Sequence, residues 1–167
     1  MPIKRPDIWE QLKAKLEGRV MHTAEENAWR QFEVMAFEAR RSGAMVQIEG
    51  QWFLNCTPHE IRLEDGTVIN GSTWFAEKLK ATPVQRIIEE ISKSPFEFVE
   101  TRFSTNEVAD SLVRWAKHKE IILIGSIIAV NAFGFPVVSP IATPETSRKP
   151  PQERICFKFK WNTKLGD

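Results

Sequence analysis

The sequence predicts a mixed α/β domain: a central mixed sheet of about five to seven strands, flanking helices and an N-terminal helical hairpin. Three observations carry this. Apolar residues recur about every fourth position up to Gly43, and from Ala44 the period shortens toward two. Glycine-bearing turns, Glu49-Gly50 and Asp65-Gly66, separate β-forming runs. EIILIGS, residues 120–126, is near-continuously apolar, as strands buried on both faces are.

Taken in order, Asp7 to Gly18 reads as a short helix, with Ile8, Leu12 and Leu16 spaced by four. Thr23 with Glu26 makes a capping box that opens a second helix. Its apolar stripe is Ala28, Phe32, Met35, Ala36 and Ala39, and Gly43 ends it. Residues 1–43 are thus expected to form a hairpin leaning on a core domain of residues 44–167. MVQIEGQWFLN and EIRLEDGTVI each read as a strand pair about a turn, and Pro58 belongs at a strand entrance or edge. Thr82-Pro83 resembles a helix start, with Val84, Ile87, Ile88 and Ile91 as the buried face. FEFVETRF is a strand, and Ser104 with Glu107 is a capping box for a helix bearing Val108, Leu112 and Trp115 on one side. After the apolar strand come a short helix (SIIAVNAF), a strand (GFPVVSPIA), a proline-rich loop (TPETSRKPPQE) and a last strand (ERICFKFKW).

Bulk chemistry narrows the function classes. A net charge of +1 over 167 residues gives no global attraction to nucleic acid or membrane. The longest apolar run, Ile121 to Phe135, is interrupted by Gly125, Ser126, Asn131 and Gly134 and is too short to span a bilayer. The opening MPIKRPDIWEQLK lacks the apolar centre of a signal peptide, and the only cysteines are Cys56 and Cys156, so a reducing cytoplasm is the expected compartment. Eleven Phe and six Trp accompany no Tyr, which removes phenolic acid–base chemistry.

Three places invite a functional reading. Thr57-Pro58-His59-Glu60 offers His59 as an acid or base, although Glu60, adjacent on a strand, points to the other face. The simpler role of that cluster is a proline turn that sets strand register. Cys56 and His59 have ligand-like spacing that Cys156 or His118 could complete, but closely spaced ligand pairs are missing, and no metal or other cofactor is expected. Gly125-Ser126 lies where a strand passes into a helix, a common place for anions in α/β proteins. Gly125 could equally serve close packing and Ser126 a cap. The C-terminal region is basic, with Arg148, Lys149, Arg154, Lys158, Lys160 and Lys164 against Glu145, Glu153 and Asp167. Its strand carries Lys158 and Lys160 on the face of Cys156, opposite Ile155, Phe157, Phe159 and Trp161, which suits either edge protection or a groove for phosphates or an acidic partner. The expected ligand-binding set is Gly125, Ser126, Lys158 and Lys160. No nucleophile elbow is present.

Two segments resemble small proteins encoded by phages and mobile elements. NCTPHEIRLEDGTVI is similar to their N-x-T-P-H-x-I strand entrance through Asn55, Thr57, Pro58, His59 and Ile61. IILIGSIIAVNAFGFPVVSP is similar to their later strand, helix and strand through Ser126, Ala129, Val137, Val138 and Pro140. The resemblance covers roughly a fifth of the chain. Its members are shorter, and an Arg-x-Asp expected before the last strand is replaced by Phe133-Gly134-Phe135. It implies a phage-like origin and carries no activity. The functional expectation is a non-catalytic cytoplasmic binding protein, of the counter-defence kind, that sequesters a small anionic, nucleotide-like ligand or a host protein. The alternative is an enzyme cleaving a phosphodiester or related bond with His59 as acid or base. A third is a self-assembling structural component, for which homo-oligomers are the natural form.

Overall fold

The computed structural model describes residues 6–14 and 23–160. The elements are α1 (Pro6–Ala14), α2 (Thr23–Ser42), β1 (Met45–Ile48), β2 (Gln51–Asn55), β3 (Ile61–Leu63), β4 (Val68–Ile69), α3 (Thr73–Lys78), β5 (Ala81–Ile87), β6 (Val99–Thr105), α4 (Glu107–Lys119), β7 (Ile121–Ile124), α5 (Ile127–Phe133), β8 (Val137–Ala142) and β9 (Ile155–Lys160). Leu16, Gly18, His22 and Trp161 lie outside the described residues. The class is mixed α and β, as expected, with seven strands in the main sheet in the order β1-β2-β7-β8-β9-β3-β4. None of the described helices is long and apolar enough to cross a membrane.

Strand alternation divides the interior into two cores. Leu54, Ile121, Leu123 and Val137 face one of them, where α2, α3, α4 and α5 bring Phe32, Phe75, Trp115 and Phe133. Phe53, Ile122, Ile124 and Val138 face the other, which receives Ile8, Trp9 and Leu12 from α1. The two N-terminal helices therefore contribute to different cores. β7 is buried at all four positions, as its unbroken apolar run requires. Its parallel crossover to β8 runs through α5, with Leu123 opposite Val137.

The first turn signals are realised in backbone geometry. Glu49 (φ 51°) and Gly50 (φ 82°) are both left-handed between β1 and β2, as a two-residue hairpin demands. At the second turn, the Leu63 N–H donates to the Thr67 carbonyl at 2.8 Å and Asp65 Oδ1 accepts from the Thr67 N–H at 2.9 Å.

Three expectations need correction. Residues 83–91 do not start a helix: Ala81–Ile87 is β5, paired antiparallel with β6 in a separate two-stranded sheet, and Val84, Ile87 and Ile91 are about half exposed. Thr82, Val84, Ile87 and Ile88 are β-branched, and the complementary strand at 99–105 supplies the pairing that decides between the two periods. The cap of α4 is Asn106, whose Oδ1 accepts from the Ala109 N–H at 2.8 Å; Ser104 is still within β6, and Val108 is exposed. The third concerns β9, where Cys156 does not share an exposed face with the lysines. Ile141 pairs with Lys158 while Ala142 pairs with Cys156, so Phe157 is the extra residue of a bulge. That shift turns both Cys156 and Phe159 inward.

Candidate functional site

The site follows from how β2 hands over to β3. Three strands lie between them in the sheet, so on a flat sheet they would sit about 19 Å apart. Six residue steps from Asn55 to Ile61 reach at most about 20–22 Å fully stretched, yet this link contains a folded turn. The sheet must therefore curl until it is nearly a barrel. Asn55, fully buried, holds the closure. Its Nδ2 donates to the His59 carbonyl at 2.8 Å and to the Ile69 carbonyl, across the closure, at 3.2 Å. Its Oδ1 accepts from the Thr57 N–H at 3.0 Å and the Thr57 hydroxyl at 2.7 Å. The turn is clamped from behind as well. The Ser72 N–H donates to the Thr57 carbonyl at 2.9 Å. Gly71 passes so close that a Cβ there would stand 2.6 Å from the Pro58 carbonyl carbon and 2.8 Å from the His59 nitrogen.

This turn forms one wall of a cavity of about 460 Å³. The carboxyl ends of β2 and β7 floor it: the Cys56 N–H donates to the Ile124 carbonyl and the Gly125 N–H to the Val138 carbonyl, both at 2.8 Å. Ile61, Leu79, Ile127 and Pro140 supply apolar surface, while Thr57, His59, Glu60, Ser126, Ser139 and Arg154 supply polar groups. Two segments seventy residues apart in sequence thus meet in one place, at the strand ends where α/β folds bind ligands.

The polar groups have distinct assignments. Ser126 caps α5, its Oγ accepting from the Ala129 N–H at 3.2 Å. Glu60 is held by Arg62 at 2.7 Å. Arg154 donates from Nε to the Lys149 carbonyl at 2.6 Å, which fixes its guanidinium at the rim, and it has no ion pair among the described residues. His59 is exposed and is part of the cavity lining.

Burial raises both thiols, that of Cys56 far above its ordinary value and that of Cys156 to about 11. For Cys156, hydrogen bonds to the Ile141 and Lys158 backbone oppose the rise only in part, and Glu64 adds to it. At neutral pH burial thus favours the protonated thiol at Cys156, which packs in the second core. Both cysteines are free. A stability prediction follows from linkage. Above the unfolded thiol pKa the unfolded chain releases its protons while the native chain keeps them, so stability falls as pH rises from about 8.5 through 11. The Cys156 contribution is about 2–3 kcal/mol by pH 11. Urea denaturation of the wild type and Cys156→Ala between pH 8 and 11 checks it: the variant should show the shallower decline, and parallel declines would contradict the account.

Of the residues singled out from sequence, His59, Gly125 and Ser126 border the cavity together, with Cys56 and Cys156. Lys158 and Lys160 stand on exposed positions of β9 and are not in the lining. His118 packs its ring 5.5 Å from Trp29, beside the helical core. No group of three or more His, Cys, Asp or Glu among the described residues is close enough to hold a metal ion. Gly125 has the packing role considered for it, since a Cβ there would crowd Ala129, Leu79 and Val137 at 3.2–3.3 Å. Arg154, one of the basic C-terminal residues singled out from sequence, is the member of that group that reaches the cavity, whereas Gly71 and the organising role of Asn55 were missed. A glycine directly before Ser72 was the available sign for the first of these; for Asn55 nothing local marked its reach to Ile69. Compared with protein-family models, curated proteins and solved structures, the chain matches none.

Proposed function

We propose that the protein is a non-catalytic binding protein that holds a small anionic, nucleotide-like ligand in this cavity, acting in the cytoplasm. The observation that supports the reading is the cavity's composition: a mostly apolar floor large enough for a small molecule, with the Arg154 guanidinium fixed at its rim. Arginine suits a phosphate or carboxylate through paired N–H donors, and the apolar floor suits a base or similar flat body. Two lining groups have structural employment that fits a binding role: burial favours the protonated Cys156 thiol, and Ser126 Oγ caps α5. The likeness of the Thr57-Pro58-His59 and Ser126 segments to phage and mobile-element proteins supports a sequestering, counter-defence role in a host cell.

Calorimetric titration with a panel of mononucleotides and cyclic nucleotides tests this. Arg154→Glu should weaken the best ligand by about 2–4 kcal/mol, since it places a like charge against the anion. Ser126→Arg should block the cavity while costing the fold only about 1 kcal/mol for the lost cap. Unchanged affinity in both variants would contradict the site. The alternative is an enzyme that cleaves a phosphodiester or related bond with His59, which borders the same cavity, as acid or base. It predicts turnover of the bound ligand that His59→Ala abolishes without loss of stability.

A further inference from the structure

The two-stranded arm formed by β5 and β6 touches the body mainly through α5, and isolated two-stranded ribbons are marginal in water. Its exposed side chains include Val84, Ile87, Phe96, Phe98 and Val99, between 43% and 70% exposed. The hydrogen-bond parity of the arm fixes which backbone groups point outward. The Ile88 N–H donates to the Phe98 carbonyl at 2.8 Å, so 88/98 is a hydrogen-bonded pair, and the register makes 86/100, 84/102 and 82/104 the next ones. The N–H and carbonyl groups of Gln85 and Ile87 and the carbonyl of Pro83 on β5, and the N–H and carbonyl groups of Val99, Thr101 and Phe103 on β6, therefore face away from the ribbon. On β5 that outer edge is interrupted by Pro83, which has no N–H, a common protection against edge pairing. The outer edge of β6 has no such interruption, and among the described residues no hydrogen bond engages its outward groups.

The geometry points to a symmetric dimer in which β6 pairs antiparallel with β6 of a second copy about a twofold axis at Thr101. Parity requires outward groups to meet outward groups, which leaves few registers. An axis at Arg102 sets Arg102 against the partner's Arg102, and an axis at Glu100 sets two glutamates together. An axis at Thr101 instead sets Glu100 against the partner's Arg102 twice, at the closely approaching non-hydrogen-bonded positions. It also sets Val99 against the partner's Phe103 on the opposite face. Charge thus selects this register from its neighbours. The arrangement is isologous and closes on itself, turning two marginal ribbons into a four-stranded sheet.

Light scattering coupled to size exclusion, on the full chain up to about 100 μM, tests it. The wild type should be a dimer. Thr101→Pro removes an outward N–H, as Pro83 does on β5, and should be monomeric with an unchanged circular-dichroism spectrum and a melting temperature that no longer rises with protein concentration as the wild type's does. Arg102→Glu opposes Glu100 to a like charge twice across the interface; it also removes the exposed Arg102–Glu100 pair within one strand, 2.8 Å, while leaving Arg86–Glu100, 2.9 Å, and should weaken the dimer at least about tenfold at low salt with the monomer still folded. The triple exchange Arg86→Glu, Glu100→Arg, Arg102→Glu, which keeps opposite charges within the ribbon as well as across the interface, should restore most of that loss. A monomeric wild type overturns the proposal. So does a dimer indifferent to Arg102→Glu and Thr101→Pro; and if Thr101→Pro fails to fold, the charge-exchange pair decides alone.

Discussion

Asn55→Ala is expected to lose about 3–4 kcal/mol of folding stability, a large effect for a polar side chain. The side chain is fully buried and makes four hydrogen bonds, to His59, Ile69 and twice to Thr57. Each is worth about 1 kcal/mol net, and removing one partner leaves carbonyls and an N–H in a poorly hydrated place. The loss should also be selective: Asn55→Asp keeps the acceptor for Thr57 but turns an oxygen toward the two carbonyls, so it should be no better than alanine. Urea denaturation measures both. A loss below about 1 kcal/mol would mean that the β2–β3 link keeps its course without this side chain.

Gly71→Ala is the second large expectation, about 2–4 kcal/mol. The new Cβ would lie 2.6–2.8 Å from the backbone of Pro58 and His59, not from a flexible side chain, so the cavity wall itself must move. Affinity for the cavity's ligand should fall along with stability. By contrast Gly66→Ala, whose Cβ meets nothing within 4 Å, pays only for its left-handed backbone (φ 92°), about 1–2 kcal/mol, and should leave affinity intact. Equal affinities in the two variants would contradict the wall's role.

What the sequence disclosed and what it hid have physical reasons. The β1–β2 and β3–β4 turns were legible because each needs left-handed backbone at a glycine, Gly50 (φ 82°) and Gly66 (φ 92°), a local property. The fully buried β7 was legible from its unbroken apolar run, and the helix of α4 from its spacing. β5 was not, because Val84, Ile87, Ile88 and Ile91 fit a helical stripe as well as a β-branched strand, and only pairing with residues 99–105 decides. The face of Cys156 was misjudged because a bulge at Phe157 is set by its partner strand, not by its own residues. At the site, Thr57-Pro58-His59 was correctly suspected of being a turn, since proline and a β-forming flank are local signals. That its neighbour Asn55 ties β2 to the carbonyl of Ile69, or that Arg154 comes to the same rim as Ser126, depends on the curl of the whole sheet.

The central claim is that the cavity between the Thr57–Glu60 turn, Gly125-Ser126 and Arg154 holds a small anionic molecule. Native against denaturing mass spectrometry of freshly purified wild type and Arg154→Glu tests it most directly. The account predicts a mass excess on the native wild type that disappears on denaturation, matches an anionic small molecule and is lost in the folded Arg154→Glu protein. A native wild type of bare mass that also takes up none of the added nucleotides, or an adduct that Arg154→Glu retains in full, would contradict it.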